Sequence, residues 1–87
     1  MARFIILNEK DNVAVAVESA EAGDSAILSD GRTVRLNQEI PFAHKIAIKA
    51  MKKGERVIKY GEVIGEASRD IVVGDHVHIQ NVRSLRG

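Results

Sequence analysis

The stretch AILSDGRTVRL, residues 26–36, decides the fold class. Two runs rich in β-forming residues flank Asp30 and Gly31, a strong hairpin signal because glycine accepts the positive φ of a type I′ turn. Arg32 and Arg35 in the second run indicate a strand with one face in solvent. Residues 26–36 therefore predict a β-hairpin.

The segments on either side of this hairpin also alternate with the period of a strand. VAVAV (13–17) is apolar on both faces, so we expect both faces of this strand to be covered. HKIAIKAM (44–51) is ambiguous, because it contains good helix formers but also alternates, and the alternation favours a strand. In YGEVIGEAS (60–68) the two glycines indicate bends or close approach of the backbone. Many short strands with glycine corners predict a compact all-β domain.

Size and composition restrict the classes of function. The chain has 87 residues, the length of one domain (1–87). We expect its end, RSLRG (83–87), to be frayed or to have once led elsewhere. Its 13 basic and 12 acidic residues give a net charge of +1, and its only aromatic residues besides histidine are two phenylalanines and one tyrosine. Nucleic-acid binders of this size usually carry a basic stripe or stacking aromatics, so the composition argues against nucleic acid as a partner.

Three absences restrict the chemistry and the compartment. The chain has no cysteine, which excludes disulfides, thiolate zinc sites and cysteine nucleophiles. No run approaches the ~18 apolar residues of a membrane span. The N-terminus lacks the features of a signal peptide. We therefore expect a cytoplasmic protein with no membrane partner.

The run GDHVHIQN (74–81) contains two of the three histidines. On a β-strand, His76 and His78 would share one face, while Val77 and Ile79 would point inward. Their Cβ atoms would lie about 6.5–7 Å apart. Two imidazoles so placed could chelate one transition metal, could serve as acid and base beside a substrate carboxylate, or could simply be exposed polar residues.

The remaining polar residues leave further alternatives open. Full zinc ligation needs three or four protein ligands, and beyond His76 and His78 only His44 and some carboxylates remain, so we expect an incomplete set that another chain would finish. Lys45 could clamp an anionic substrate while His44 moves a proton, or the pair could be a solvated lysine and a loop histidine. Tyr60 could lie beside a ligand or pack across strands.

The order of the motifs over residues 40–81 resembles the amino-terminal module of the altronate/galactarate dehydratase family. The matching elements are Pro41, His44-Lys45, Gly54-Glu55, Lys59-Tyr60-Gly61, Ile64-Gly65, Asp70-Ile71 and Gly74 to Asn81. The resemblance is strong over about half of the chain and looser over the first 39 residues. It implies the small β-clip fold of the SAF domain, with 45–51 as a strand.

The same resemblance implies a function. The family removes water from an aldonate or aldarate by β-elimination, with a divalent metal such as iron or manganese. This chain would be its small subunit or amino-terminal module, and a larger catalytic subunit would hold most of the metal. The alternatives are the alpha subunit of a sulfolactate sulfo-lyase, which is the sister branch, and a non-catalytic carbohydrate-binding or assembly module.

The site residues expected from the motifs and the resemblance fall into two groups. The expected catalytic residues, or partial metal ligands, are His76 and His78. The expected substrate-binding residues are His44, Lys45, Tyr60 and Asn81. For Asn81 the alternative is that it supports the end of the last strand.

Overall fold

The computed structural model of the chain describes residues 1–85 and consists of short β-strands. They are β1 (Ala2–Ile5), β2 (Val13–Ala16), β3 (Ser25–Leu28), β4 (Thr33–Arg35), β5 (Lys45–Ala47), β6 (Arg56–Lys59), β7 (Glu62–Ala67), β8 (His76–Val77) and β9 (Val82–Arg83). Residues 1–85 contain no helix, hence none long and apolar enough to cross a membrane. The all-β prediction is confirmed. Residues 86 and 87, the last of the expected frayed end and of the expected domain, lie outside the described residues.

The strands form two curled sheets. The larger has the order β4-β3-β1-β2-β5-β8, in which β1 and β3 are parallel and the other neighbours are antiparallel. The smaller has the order β6-β7-β9 and is antiparallel throughout. In this arrangement β8 is an edge strand whose partner is β5, and this pairing positions the histidines.

Two apolar clusters lie on opposite faces of the larger sheet. Successive residues of β2 point to opposite faces, so Ala14 and Ala16 pack in the first cluster while Val13 packs in the second. This confirms that both faces of VAVAV are covered. The first cluster also contains Phe4, Leu28, Leu36, Ile40 and Ile46. The second joins the two sheets and also contains Met51, Val57, Ala67, Ile71 and Val77.

The hairpin predicted at residues 26–36 is present, as β3 paired with β4, but its turn is not of type I′. A type I′ turn needs positive φ at both central residues. Here Gly31 has a φ of 91°, while Asp30 is not among the residues with positive φ. The Gly31 N–H donates to the Leu28 carbonyl and the Leu28 N–H to the Arg32 carbonyl, which closes a three-residue loop ending in a left-handed glycine.

Paired positive φ values occur instead at the turn between β6 and β7. Tyr60 and Gly61 have φ values of 61° and 74°, and the flanking residues of the two strands are in register. A left-handed tyrosine costs roughly 1–2 kcal/mol. Asp11, only 2 % exposed, offsets this cost, because its carboxylate accepts the N–H of Tyr60 at 3.0 Å and that of Gly61 at 2.8 Å.

Glycine is required where two backbone segments meet. A Cβ at Gly65 would lie 2.7 Å from the Arg83 carbonyl oxygen, so the close approach predicted for YGEVIGEAS is confirmed. A Cβ at Gly74 would lie 2.1 Å from the Arg35 carbonyl oxygen, and Gly74 also has a φ of 93°. The loop that leads into β8 is thereby packed directly against the end of β4.

Candidate functional site: a three-histidine cluster beside an apolar cleft

All three histidines of the chain meet at the edge of the larger sheet. In the antiparallel pair of β5 and β8, Lys45 lies opposite Val77 and Ile46 opposite His76, so residue 44 comes opposite residue 78. The ring centroids are 5.1 Å apart for His44 and His76, 4.6 Å for His44 and His78, and 5.4 Å for His76 and His78. His44, which we assigned to substrate binding, therefore belongs with the pair expected to be catalytic.

Backbone hydrogen bonds hold His44 and His76 in place. The His44 N–H donates to the Pro41 carbonyl at 3.1 Å, and the His44 carbonyl accepts the Ala16 N–H at 2.8 Å. The His76 N–H donates to the side-chain oxygen of Gln38 at 2.7 Å. Gln38 carried no signal in the sequence, since its partner lies 38 residues away along the chain.

Asn81 shapes the turn that carries His78. It is 6 % exposed, and its side-chain N–H donates to the His76 carbonyl at 2.8 Å while its side-chain oxygen accepts the His78 N–H at 3.0 Å. The Asn81 N–H also donates to the His78 carbonyl at 3.1 Å. This geometry agrees with the alternative that Asn81 supports the end of the last strand. Its expected contact with substrate stays a prediction.

The same turn corrects one sequence expectation. The strand ends at Val77, which is fully buried as predicted, but Ile79 is 83 % exposed rather than inward. The Asn81 side chain takes the backbone groups that a neighbouring strand would otherwise bind, so the chain turns over residues 78–81. His76 and His78 still share one side, although a turn rather than a strand places the second.

The cluster consists of bases without an acidic partner. One ring nitrogen from each of His44, His76 and His78 lies within 4.8 Å of the others, and the group contains no carboxylate. His44 Nδ1 and His76 Nε2 are 2.9 Å apart, a distance at which one neutral ring donates to the other. Burial, reinforced by His44, His78 and Lys45, lowers the pKa of His76 below its usual value of 6.5. His76 is therefore neutral near pH 7 and has a lone pair to offer.

An apolar cleft of about 270 Å³ adjoins the cluster. It is lined by Lys45, Ile64, Val77, His78, Ile79, Val82 and Ser84. Lys45 is on the face of β5 opposite the histidine cluster, and His78 is the residue common to cleft and cluster.

Lys45 is a half-buried cation in this cleft. Burial lowers its pKa from the usual 10.5, and the charge of Lys59 adds to the effect. Within residues 1–85 it forms no salt bridge. A bound anion would relieve both the desolvation and the repulsion, so the cleft can accept a carboxylate or a similar group.

Tyr60 is not brought to this cleft. It lies at the turn between β6 and β7 with 69 % of its surface exposed, and it is absent from the cleft lining. A role for Tyr60 in substrate binding stays a prediction that would need a surface from outside residues 1–85. Asp11, which holds the Tyr60 turn, has no local sequence pattern that predicts its role, because its partners lie 49 and 50 residues away.

Comparison with known proteins assigns the chain to a family. The family model described as the altronate/galactarate dehydratase SAF domain matches residues 2–85. The chain belongs to this family. The resemblance stated from residues 40–81 is confirmed, and the match extends over the first 39 residues, where the motifs were looser.

The relatives of this SAF domain differ in length. The chain is 33 % identical to an altronate dehydratase of Bacillus subtilis over 97 % of its own length but only 17 % of the relative. It is 42 % identical to an altronate dehydratase of Escherichia coli over 94 % of the chain and 16 % of the relative. It is also 36 % identical to the (2R)-sulfolactate sulfo-lyase subunit alpha of Chromohalobacter salexigens, over 95 % of both chains. The chain thus spans less than a fifth of the two dehydratases and nearly all of the sulfo-lyase subunit.

Proposed function

We propose that this SAF domain is the small subunit or amino-terminal module of a sugar-acid dehydratase, and that a larger catalytic subunit completes its site. The observation that carries the proposal is Lys45, a half-buried cation without a salt bridge in residues 1–85, in a cleft that also contains His78. The aldonates and aldarates on which such an enzyme would act are carboxylates, which this cleft suits by charge.

The proposed reaction is the β-elimination of water. A base removes the proton from the carbon next to the carboxylate, a carbon–carbon double bond forms, and the β-hydroxyl leaves as water with a proton from an acid. The enol product then tautomerises to a 2-keto-3-deoxy acid. Lys45 would hold the carboxylate. His76 and His78 would either move the protons, since imidazole can act as acid or base near pH 7, or serve as metal ligands instead.

The expected cofactor is a divalent metal, iron or manganese. The donor set fits such a group, because the three imidazoles meet without an acidic partner and one ring nitrogen of each lies within 4.8 Å of the others. When bound, the metal would supply positive charge that stabilises the enediolate formed by proton removal. The residues of this chain that would hold it are His76 and His78, now joined by His44.

A second candidate is the alpha subunit of a sulfolactate sulfo-lyase, to which the chain is also similar. The sulfo-lyase subunit alpha of Chromohalobacter salexigens is covered over 95 % of its length. In that case the larger partner would be a sulfo-lyase subunit and the leaving group would be sulfite rather than water. The same cleft would hold the carboxylate of sulfolactate.

One experiment tests the proposal. The chain is tagged and purified from its native host, and the recovered assembly is assayed with aldonates, aldarates and sulfolactate for 2-keto acid and for sulfite. A larger dehydratase-like partner with 2-keto acid formation from a sugar acid supports the proposal, and sulfite release supports the second candidate. Recovery of the chain without partner or activity contradicts both and favours a non-catalytic binding or assembly module.

Substitution of Lys45 tests whether its charge binds the substrate carboxylate. Lys45→Met keeps the length of the side chain and removes its charge. A hydrogen bond to a charged group contributes about 1.5–3 kcal/mol, so the KM of the assembly for its anionic substrate should rise about 10- to 100-fold. Lys49→Met, at an exposed lysine four residues away, is the matched control and should leave KM unchanged. Equal KM values for both variants and the wild type would remove Lys45 from the substrate site.

A further inference from the structure

Two ring nitrogens of the cluster are as far apart as two ligands of one ion. Two nitrogens that each lie about 2.0–2.1 Å from a zinc-sized ion are about 2.9–3.4 Å apart, for coordination angles from right angles to tetrahedral. His44 Nδ1 and His76 Nε2 are 2.9 Å apart already. One nitrogen of His78 lies within 4.8 Å of both, a gap that side-chain rotation can close.

A simple pair of hydrogen-bonded imidazoles does not account for the third ring. The contact of His44 with His76 satisfies one donor and one acceptor, yet His78 stacks 4.6 Å from His44 and 5.4 Å from His76. The chain has three histidines in all, and His44 and His76 are 32 residues apart along it. The fold therefore gathers every imidazole it has at one point.

The hydrogen bonds that fix the backbone of these residues do not use their ring nitrogens. Gln38 and Asn81 bind the backbone N–H and carbonyl of His76, and Asn81 also binds the backbone N–H of His78. The side-chain amide of Gln80 lies 3.4 Å from His76 Nδ1, the ring nitrogen that does not face His44. At this length the contact is weak, so it does not commit His76 Nδ1.

We propose that His44, His76 and His78 form a binding site for one divalent transition-metal ion, and that this chain alone supplies its full set of protein ligands. Three histidines are a complete set in catalytic zinc sites, where the remaining position is left for water or substrate. The set of His76 and His78 expected from the sequence is thus completed by His44. The inference deepens the proposed function by moving the metal ligands from the large subunit to this chain; only the role of the ion in turnover rests on that function.

The ligand type also selects among metals. Imidazole suits iron, nickel, copper and zinc, whereas manganese and magnesium favour carboxylate, carbonyl and water oxygens. The cluster contains three imidazoles and no carboxylate. Of the two metals expected from the resemblance, the site therefore favours iron, and it should bind Co²⁺ and Zn²⁺ more tightly than Mn²⁺.

The test is metal titration of the untagged, full chain without any partner. Co²⁺ is the probe, because its visible absorption reports nitrogen ligation and coordination geometry, and calorimetry with Zn²⁺ and Mn²⁺ gives stoichiometry and affinity. We expect one Co²⁺ per chain and weaker binding of Mn²⁺. His44→Gln should lower the affinity for Co²⁺ at least about 100-fold, since even the loss of a residue that only orients a ligand costs 10- to 100-fold. His78→Gln should have the same effect.

Controls separate ligation from unfolding. Lys49→Gln, at an exposed residue five positions after His44 in the sequence, should bind Co²⁺ like the wild type. Circular dichroism should give the same spectrum for all variants. A folded His44→Gln chain with unchanged Co²⁺ affinity overturns the inference, as does a wild-type chain that binds no Co²⁺ at millimolar concentration. Stoichiometric Co²⁺ binding by this chain, when the assembly purified from the native host has no dehydratase activity, leaves the site standing and refutes the proposed function. Dehydratase activity with a chain that binds no metal does the reverse.

Discussion

Two glycines with the same backbone conformation allow the energetic cost of a side chain at the Gly74–Arg35 contact to be measured directly. Gly74 and Gly54 both have a φ of 93°, but a Cβ at Gly54 would meet nothing within 4 Å while one at Gly74 would lie 2.1 Å from the Arg35 carbonyl oxygen. Substitution of either by alanine therefore imposes the same left-handed strain. Only the substitution at Gly74 adds a collision with backbone.

The expected magnitudes follow from these two terms. A left-handed alanine costs about 1–2 kcal/mol, which is the full cost expected for Gly54→Ala. Overpacking typically adds 1–3 kcal/mol, so Gly74→Ala should cost about 2–5 kcal/mol in the free energy of unfolding. The atom that the new Cβ would contact is the backbone carbonyl oxygen of Arg35 in β4. Two residues further on, the Asn37 N–H donates to the Gly74 carbonyl at 3.1 Å. Any backbone movement that relieves the collision therefore also strains this hydrogen bond.

Urea unfolding of the purified chain at 25 °C, followed by circular dichroism, measures both variants against the wild type. Gly74→Ala should also weaken Co²⁺ binding, because it displaces the loop that leads into His76, whereas Gly54→Ala should not. If the two variants unfold with free energies within about 0.5 kcal/mol of each other, the packing argument at Gly74 is wrong.

Two further predictions concern the cluster. Asn81→Ala leaves the half-buried His78 N–H without its acceptor, so it should lower the free energy of unfolding in urea by about 2–4 kcal/mol. The control is Gln80→Ala, at an exposed neighbour that also donates to the His76 carbonyl. It should change the free energy of unfolding by under about 0.5 kcal/mol. The pKa of His76 is lowered in the folded state, so the unfolded chain binds more protons. The free energy of unfolding of the metal-free chain should fall as the pH drops below about 6.5, until His76 is protonated in both states. His76→Gln should flatten this dependence, and an equal pH profile for this variant would contradict the assigned cause.

Local patterns predicted most strands, because the alternation of apolar and polar residues along a strand involves only neighbouring residues. The alternation of VAVAV and the Asp30-Gly31 signal needed no knowledge of distant parts of the chain. The turn types were harder to predict. The left-handed geometry at Tyr60 depends on the Asp11 carboxylate, whose partners lie 49 and 50 residues away.

The candidate site was predictable in part for the same reason. His76 and His78 are neighbours in sequence, so their common side followed from local geometry. The addition of His44 depends on the register of β5 against β8, which cannot be predicted from the residues of the two strands alone. The exposure of Ile79 was missed because a side-chain amide, that of Asn81, replaced the strand partner that the alternation assumed.

The histidine cluster of this domain depends on the register of β5 against β8. A shift of one residue in an antiparallel ladder moves each side chain to the opposite face. If Ile46 lay opposite Val77 rather than His76, the imidazoles would turn toward the second apolar cluster and Val77 would leave it. A single-residue insertion or deletion within this pair of strands would thus disrupt the core and the histidine cluster together. The hydrophobic burial of Val77 therefore stabilises the register that positions the imidazoles.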